Sequence, residues 1–366
     1  VELALTASFE PFHAPECDTS RPRFFTPQVQ SSFVQSTFES HVESNFRQTM
    51  RKAALLYNPD SGGSKRRQRE LESALRVLTG AGVQAELVPT ESRHHAGDET
   101  RRAVAAGCDT IFACGGDGTI HNIVQVLANT PVALAVLPMG TANALAHDVG
   151  LPLNVAAAAN AALQSEPRRV ALGHVQYFNL QGEQRSKYFV VAAGVGVDAH
   201  LFYKLHTGEK QRMGMAAYYA KAWNLWFTYA MPRFAVEYEN GSGRSARAEV
   251  TELMAIRIRN FGGVVKEMAP GASLDRDDMR LIVCHTASRL AYLAYVTRGL
   301  LGQKWTIPGI ELAHSGKATC DYRSAPLEGQ TQQRRIYVEA DGELLGTLPA
   351  EITVVPNALT LLAPAR

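Results

Sequence analysis

The sequence predicts an α/β fold with a β-rich continuation: a doubly wound α/β domain followed by a β-sandwich-like domain. Three observations predict it. Apolar runs of strand length alternate with amphipathic helical runs between residues 50 and 138, the pattern of parallel βαβ units. The run Gly115-Gly116-Asp117-Gly118-Thr119 joins one of those strands to a helix. From about Arg168 onward, short apolar runs separated by turn residues take over.

Residues 1–49 differ in kind. They mix Ser, Thr, Gln, Glu, His and Phe without period, with Pro11, Pro15, Pro22 and Pro27 among them. Nothing there builds a continuous apolar face, so this stretch reads as a disordered leader. Two readings stand for it: a regulatory tail, or residues ahead of a natural start at Met50.

The first strand is Ala53–Tyr57. Asn58-Pro59 and Gly62-Gly63 mark the turn after it. Ser64 opens a helix whose apolar face is Leu71, Ala74, Leu75 and Leu78, with Gly80 and Gly82 ending it. Val83, Ala85 and Leu87 alternate as a second strand that stops at Thr90. A helix follows to about Ala106, then a strand at 110–114. Past the glycine turn, Ile120, Ile123, Val124 and Leu127 recur at helical spacing. Val132–Leu137 is the fourth strand, closed by Pro138. Doubly wound sheets bind ligands outside the carboxyl ends of their strands. Asn58, Thr90, Gly115 to Thr119, and Gly140-Thr141 all follow strand ends, so they are expected to converge on one cleft. The α/β domain is therefore placed at 50–167 and the β-rich domain at 168–366.

In that second half, strands are expected at 169–177, 188–193, 234–238, 249–259, 279–285, 309–320 and 335–340. Helices are expected near 209–229, which carries Tyr218, Tyr219, Trp223, Trp226 and Phe227, and near 287–302.

Composition narrows the function. Lys+Arg is 37 against Asp+Glu 35, so charge offers no argument for a nucleic-acid partner. The clusters Lys65-Arg66-Arg67, Arg101-Arg102, Arg168-Arg169 and Arg334-Arg335 read as solvated faces. The 5 cysteines lie far apart with no CxxC pair, which argues against zinc and disulfides and fits a reducing cytoplasm. No run approaches about 18 uninterrupted apolar residues, so no transmembrane helix is expected. The start has no basic region followed by an apolar core, so no signal peptide is expected.

The glycine run carries the chemistry. Glycines at a strand-to-helix turn let backbone approach a ligand closely. Free N–H groups and the dipole at the new helix's start suit a phosphate. Thr119 offers a hydroxyl, and Asp117 needs a cation or a donor beside a phosphate, so a metal-nucleotide fits. The plain alternative is a strand–turn–helix connection.

Four further stretches join Gly115–Thr119 in a resemblance to the diacylglycerol kinase catalytic family and its sphingosine and ceramide kinase relatives. They are Asn58-Pro59-x-Ser61-Gly62, Pro138-Met139-Gly140-Thr141-Ala142-Asn143-Ala144-Leu145-Ala146, Met268-Ala269-Pro270-Gly271-Ala272 leading to Asp277, and Asp341-Gly342-Glu343. The resemblance runs from about residue 50 to the end of the chain. It implies an ATP-dependent lipid kinase, cytoplasmic and peripherally attached to membranes, acting on diacylglycerol, or alternatively on a sphingoid base or ceramide. It implies ATP held by Asn58, Thr90, Gly115, Gly116, Asp117, Gly118, Thr119 and Thr141, with Mg2+ between phosphates and acid groups. It implies a structural magnesium at Leu274, Asp277 and Met279, and Asp341 as the base that takes the lipid hydroxyl's proton. A homodimer is compatible with it.

Alternatives stand beside each piece. Asp341-Gly342 reads locally as a hairpin turn, and Asp277 as a turn carboxylate. Gly194-Val195-Gly196-Val197-Asp198-Ala199 looks like a dinucleotide fingerprint but lacks a βαβ unit. Its glycines read as turn residues, and the resemblance implies a head-group contact for Asp198. The aromatics of 218–227 read as core; a membrane-facing patch with Lys204, Lys210, Arg212 and Lys221 is the alternative that the sequence alone does not favour. Three departures from the family pattern are Asn122 for Glu, Ala144 for Asp, and Asp278 for Gly. An NAD kinase shares Gly-Gly-Asp-Gly-Thr. A decayed, lipid-binding regulatory protein is the reading outside catalysis.

Overall fold

The structure, a computed structural model, describes residues 50–59, 64–91, 95–200, 226, 228–239, 243–262, 267–322 and 335–364. The leader, the Ser61-Gly62 turn, and the helix expected near 209–229 with its basic patch lie outside the described residues, apart from Trp226, Thr228 and Tyr229.

The parallel part forms as its pattern requires. Strands β1 (Lys52–Tyr57), β2 (Gln84–Pro89), β3 (Thr110–Gly115) and β4 (Ala133–Pro138) alternate with helices α1 (Ser64–Gly80), α2 (His95–Ala105) and α3 (Asp117–Leu127). They lie in the order β4-β3-β1-β2, all parallel. Successive side chains of a strand face opposite ways, so a parallel sheet is apolar on both faces. Ala53 and Leu55 pack with Leu71, Ala74 and Leu78 of α1. Ala54 and Leu56 pack with Ile120, Ile123, Val124 and Leu127 of α3. Two short helices follow β4: α4 (Ala144–Asp148) and α5 (Val155–Gln164). The Asn154 side chain accepts from the Ala157 N–H and caps α5.

The β-rich part begins with β5 (Pro167–Phe178). Then come β6 (Gln184–Phe189), β7 (Ala192–Gly196), β8 (Phe234–Glu239), β9 (Ser245–Val250), β10 (Glu252–Ile256), β11 (Met279–Cys284), helix α6 (Arg289–Leu300), β12 (Ile310–Ser315), β13 (Lys317–Asp321), β14 (Tyr337–Ala340) and β15 (Glu343–Leu362). Three expected strands are each two strands. The run 188–193 breaks because the N–H groups of Val190 and Val191 turn toward the Asp341 carboxylate. The run 249–259 breaks at Thr251, whose hydroxyl bonds the Thr286 carbonyl at 2.6 Å. The run 309–320 breaks at Gly316, so β12 pairs with β11 while β13 pairs with β8 and β15.

β15 joins the halves. It runs antiparallel to β14, β13 and β5, and parallel to β4 through Thr360 and Leu361. One sheet thus continues from the nucleotide-type strands into the β-rich part. That part has its own core, including Phe189, Val195, Phe234, Leu253 and Val338.

Candidate active site

The carboxyl ends of β1 to β4 share one edge, so the expected loops do meet. A Cβ built on Gly140 would lie 2.3 Å from the Gly116 Cα, closer than any real contact. The loops after β3 and β4 therefore touch backbone to backbone, which only glycine permits. The Met139 N–H donates to the Gly115 carbonyl at 3.1 Å and ties them together. Asn143 adopts φ 51° and braces the second loop, accepting from the Gly140 N–H at 2.8 Å. No side chain caps the start of α3, so its first N–H groups face the cleft as an anion site.

Each expected nucleotide residue lies at this edge, in unequal roles. Thr119 folds its hydroxyl back over Gly115, and Gly118 sits in the first turn of α3. Thr141 is exposed and Asn58 half-buried. Thr90 is buried, and its N–H and hydroxyl both bond the Tyr57 carbonyl, at 2.8 and 3.2 Å. It fastens β2 to β1 at the cleft floor. Sequence reasoning missed Arg67, taken as part of a solvated face. Its guanidinium crosses from α1 to the Met139 carbonyl and is felt at Cys114, where it opposes burial in setting the thiol. The signal was available: the first turns of helices that follow carboxyl strand ends point into such clefts.

Asp117 bridges two helices. It is the first residue of α3, and its carboxylate accepts from the N–H groups of Ala144 and Leu145 at 3.2 and 3.4 Å, capping α4. Burial raises its pKa against those hydrogen bonds, and the nearby Asp341 charge raises it further. Ala144 takes part through its backbone, so the missing Asp side chain leaves this contact intact. Asn122 donates to the Gly118 carbonyl at 2.9 Å and braces its own helix.

Asp341 sits at φ 49° in the turn between β14 and β15. Oδ1 accepts from Val191 and Ala192 at 2.8 and 3.2 Å, and Oδ2 from Val190 at 3.0 Å. His121 Nδ1 of α3 lies 3.2 Å from Oδ2. A carboxylate has about four lone-pair sites, and all are engaged in a side chain only 2% exposed. A general base must reach the proton it takes. Asp341 thus anchors the β14–β15 turn to α3; the base role that the motif implies for it is an expectation beside this contact.

Behind it lies an acid cluster. Asp198, Glu252 and Glu339 are buried together, and burial raises each carboxyl; the Asp198 charge raises Glu252 and Glu339 further, while hydrogen bonds with those two pull Asp198 back down. Glu252 Oε2 accepts from Val197 and Asp198 at 2.9 and 3.2 Å, while Glu252 Oε1 and Asp198 Oδ2 have no hydrogen-bond partner among the described residues. A Cβ on Gly194 would fall 1.9 Å from Asp198 Oδ2. Gly194 is therefore a strand residue that makes room for Asp198, not a turn glycine. Glu339 accepts from the Gly342 N–H at 2.9 Å, linking the cluster to the Asp341 turn.

The residues expected to hold a structural magnesium do not fit one. Asp277 is exposed. Met279 is committed to the β11–β12 ladder opposite Ser315. The Leu274 carbonyl accepts from the Arg257 guanidinium at 3.3 Å. Among the described residues no group of three His, Cys, Asp or Glu side chains is arranged for a metal ion.

An anion cradle of two touching glycine loops, a helix start and Arg67, beside a carboxylate of raised basicity, is the apparatus of a phosphotransferase. The comparisons agree. Residues 52–175 match the diacylglycerol kinase catalytic domain, and residues 190–363 match the YegS C-terminal NAD kinase beta sandwich-like domain. The diacylglycerol kinase of Bacillus subtilis (strain 168) is 27% identical over 322 residues, covering 86% of this chain and 97% of that one. The diacylglycerol kinase of Staphylococcus aureus (strain MRSA252) is 26% identical over 317 residues, covering 86% and 93%. The crystal structure of a diacylglycerol kinase from Bacillus anthracis str. Sterne shares the fold, with TM-score 0.61 at 19% identity over 86% of this chain and 97% of that one. Residues 52–175 thus resemble a diacylglycerol kinase catalytic domain, and the chain is a lipid kinase.

Proposed function

We propose that the chain transfers the γ-phosphate of ATP to the free hydroxyl of diacylglycerol, giving phosphatidic acid. The observation that carries this reading is the contact of Gly116 with Gly140 beneath the start of α3, which brings two backbone loops to one helix start as a phosphate site needs. Asn58, Thr90, Gly115 to Thr119 and Thr141 frame the nucleotide, and Arg67 adds a fixed positive charge. The lipid oxygen attacks the γ-phosphorus as the bond to ADP breaks, and the hydroxyl proton passes to Asp117. Its raised basicity suits that task. Asp341 acts through its field on Asp117 and through the turn it anchors. Magnesium carried by the nucleotide supplies charge neutralisation between the phosphates.

We also infer peripheral membrane docking by a cytoplasmic enzyme. No helix among the described residues is long and apolar enough to cross a membrane. Helix α6 packs Tyr295, Ala291 and Ala294 against β10 and β11. Its outer face exposes Leu290 at 78%, with Leu293, Val296 and Leu301, and Trp305 follows beside the exposed Lys304. Aliphatic side chains flanked by Trp and Lys are the make-up of a face that seats in the head-group region of a bilayer. A lipid substrate requires such a face.

The test is transfer of labelled γ-phosphate from ATP to diacylglycerol, sphingosine and ceramide, each presented in vesicles, with NAD as a soluble acceptor. Diacylglycerol is expected to be labelled fastest. Preference for a sphingoid base or ceramide overturns the substrate, labelling of NAD alone overturns the lipid kinase, and no turnover supports a decayed site.

A further inference from the structure

We propose that Arg257 is a built-in cation, and that its guanidinium does for the loop before β11 what the family resemblance assigns to a structural magnesium ion. Arg257 follows β10 directly and is 0% exposed. Its N–H donates to the Val191 carbonyl at 2.9 Å, which fixes where the side chain starts. Nη1 donates to the Asp278 carbonyl, and Nη2 to the carbonyls of Ala171 and Leu274 at 3.1 and 3.3 Å. Three backbone oxygens from β5 and from the loop thus converge on one positive group. The carboxylates of Asp278, Asp277 and Asp275 add their field.

This is the donor set of a hard cation: carbonyl oxygens at short range with acid groups around them. A planar guanidinium meets the three carbonyls through its two Nη groups, whose N–H bonds fork in fixed directions, while its buried Nε has no partner among the described residues. An arginine guanidinium keeps its proton inside proteins, so the group holds its charge here. A second cation at the Leu274 carbonyl would face that charge in a poorly screened interior. The Asp278 carboxylate is engaged elsewhere, by Arg276 at 2.6 Å and His314 at 3.3 Å.

The consequence is a lipid kinase whose fold does not depend on a bound divalent ion. The loop it would otherwise hold carries the buried Ala269, Ala272 and Leu274 and leads into β11, so its order matters to the core under α6. This inference concerns the fold and stands apart from the choice of lipid.

The experiment uses the full chain without nucleotide, so that magnesium bound with ATP does not enter. Thermal melts in EDTA, in millimolar MgCl2 and in millimolar CaCl2 are expected to coincide, and elemental analysis after gel filtration is expected to find less than one divalent ion per chain. Arg257→Met removes the charge and leaves the three carbonyls facing each other. Its melting temperature is expected to fall by several degrees and to recover in part when MgCl2 or CaCl2 is added. Arg257→Lys, which keeps a point charge, guards against a variant that does not fold; it is expected to melt between the two without a response to metal. A wild-type melt that drops on chelation, a stoichiometric divalent ion, or an Arg257→Met chain as stable as wild type overturns the proposal.

Discussion

His121 and Asp341 meet at 3.2 Å, 220 positions apart in the chain. The pair ties α3, whose start forms the anion site, to the turn that opens β15. Asp341 also receives three backbone N–H groups. In Asp341→Asn, either placement of the amide turns N–H donors against N–H donors. Leaving a buried donor unpaired costs about 1–3 kcal/mol. The variant is therefore expected to unfold at lower denaturant concentration, although Asn tolerates positive φ. Unchanged stability with kcat lost at saturating ATP and lipid would return the proton acceptor to Asp341.

Asp117→Asn separates the two carboxylates. An amide there still accepts from one N–H of α4 but takes no proton. The kcat is expected to fall on the order of 10²–10⁴-fold, with the apparent lipid affinity changed far less. A small loss of melting temperature would accompany it, because the amide N–H group faces one of the two N–H groups of α4. Near-normal kcat would remove Asp117 from the chemical step.

Gly140→Ala places a methyl group 2.3 Å from the Gly116 Cα. The Gly116 Cα and N are backbone atoms, so the loops must part, and the methyl also meets Asn143 Oδ1 at 2.8 Å. ATP binding measured by calorimetry is expected to weaken by at least tenfold while the far-UV circular dichroism stays native. Retained affinity would mean that the nucleotide binds elsewhere.

Glu252 predicts a pH dependence. Its folded-state pKa is raised well above the ordinary value of 4.5, by burial first and by the Asp198 charge second. A carboxyl raised on folding stabilises the fold fully below its unfolded pKa, and that contribution is lost as pH rises through the folded pKa. Wild-type stability should therefore fall as pH climbs above about 4.5. Glu252→Gln keeps an oxygen for the Val197 and Asp198 N–H groups and offers an amide to Asp198 Oδ2. The variant is expected to gain in melting temperature over wild type increasingly from pH 5 to pH 8. Parallel melting curves across that range would contradict the shared burial of charge.

The outer face of α6 predicts vesicle binding. Leu290→Ser, Leu293→Ser and Trp305→Ser together remove apolar surface that would enter the lipid. Each full side-chain transfer is worth about 1.5–3 kcal/mol, so sedimentation with anionic vesicles should weaken at least tenfold. Turnover of a short-chain, water-dispersed diacylglycerol should persist. Undiminished vesicle binding would point to another docking face.

Much of the α/β part was legible because its signals are local. The apolar runs at 53–57, 110–114 and 132–137 are buried on both faces, so their composition alone marks parallel strands. The helix positions Ile120, Ile123, Val124 and Leu127 are buried as their spacing requires. The glycines at 115, 116 and 118 announced a close approach, and the structure supplies what approaches: Gly140. β15 was not legible. Pro349 and Pro356-Asn357 interrupt its pattern, and register shifts between Thr347 and Glu351 and between Val355 and Leu359 absorb them. A strand held by four different neighbours keeps no single period.

The sequence by itself determined the alternation that makes a doubly wound sheet, the glycine loops at its strand ends, and the Asp117 beside them. These follow from backbone sterics and from residue spacing, which act within a few positions. Only the tertiary structure decided what each acid does. Asp341, Asp117 and Asp198 read alike in one dimension, each an Asp next to a glycine or one residue from it. Folding gives the first three N–H groups and a histidine, the second the start of α4, and the third a buried Glu252. The same holds for Arg257, an ordinary cation within a strand-like run until three carbonyls from distant segments close around it. The charge of such a group is written in the chain, but its partners, and so its chemistry, are set by which surfaces pack together.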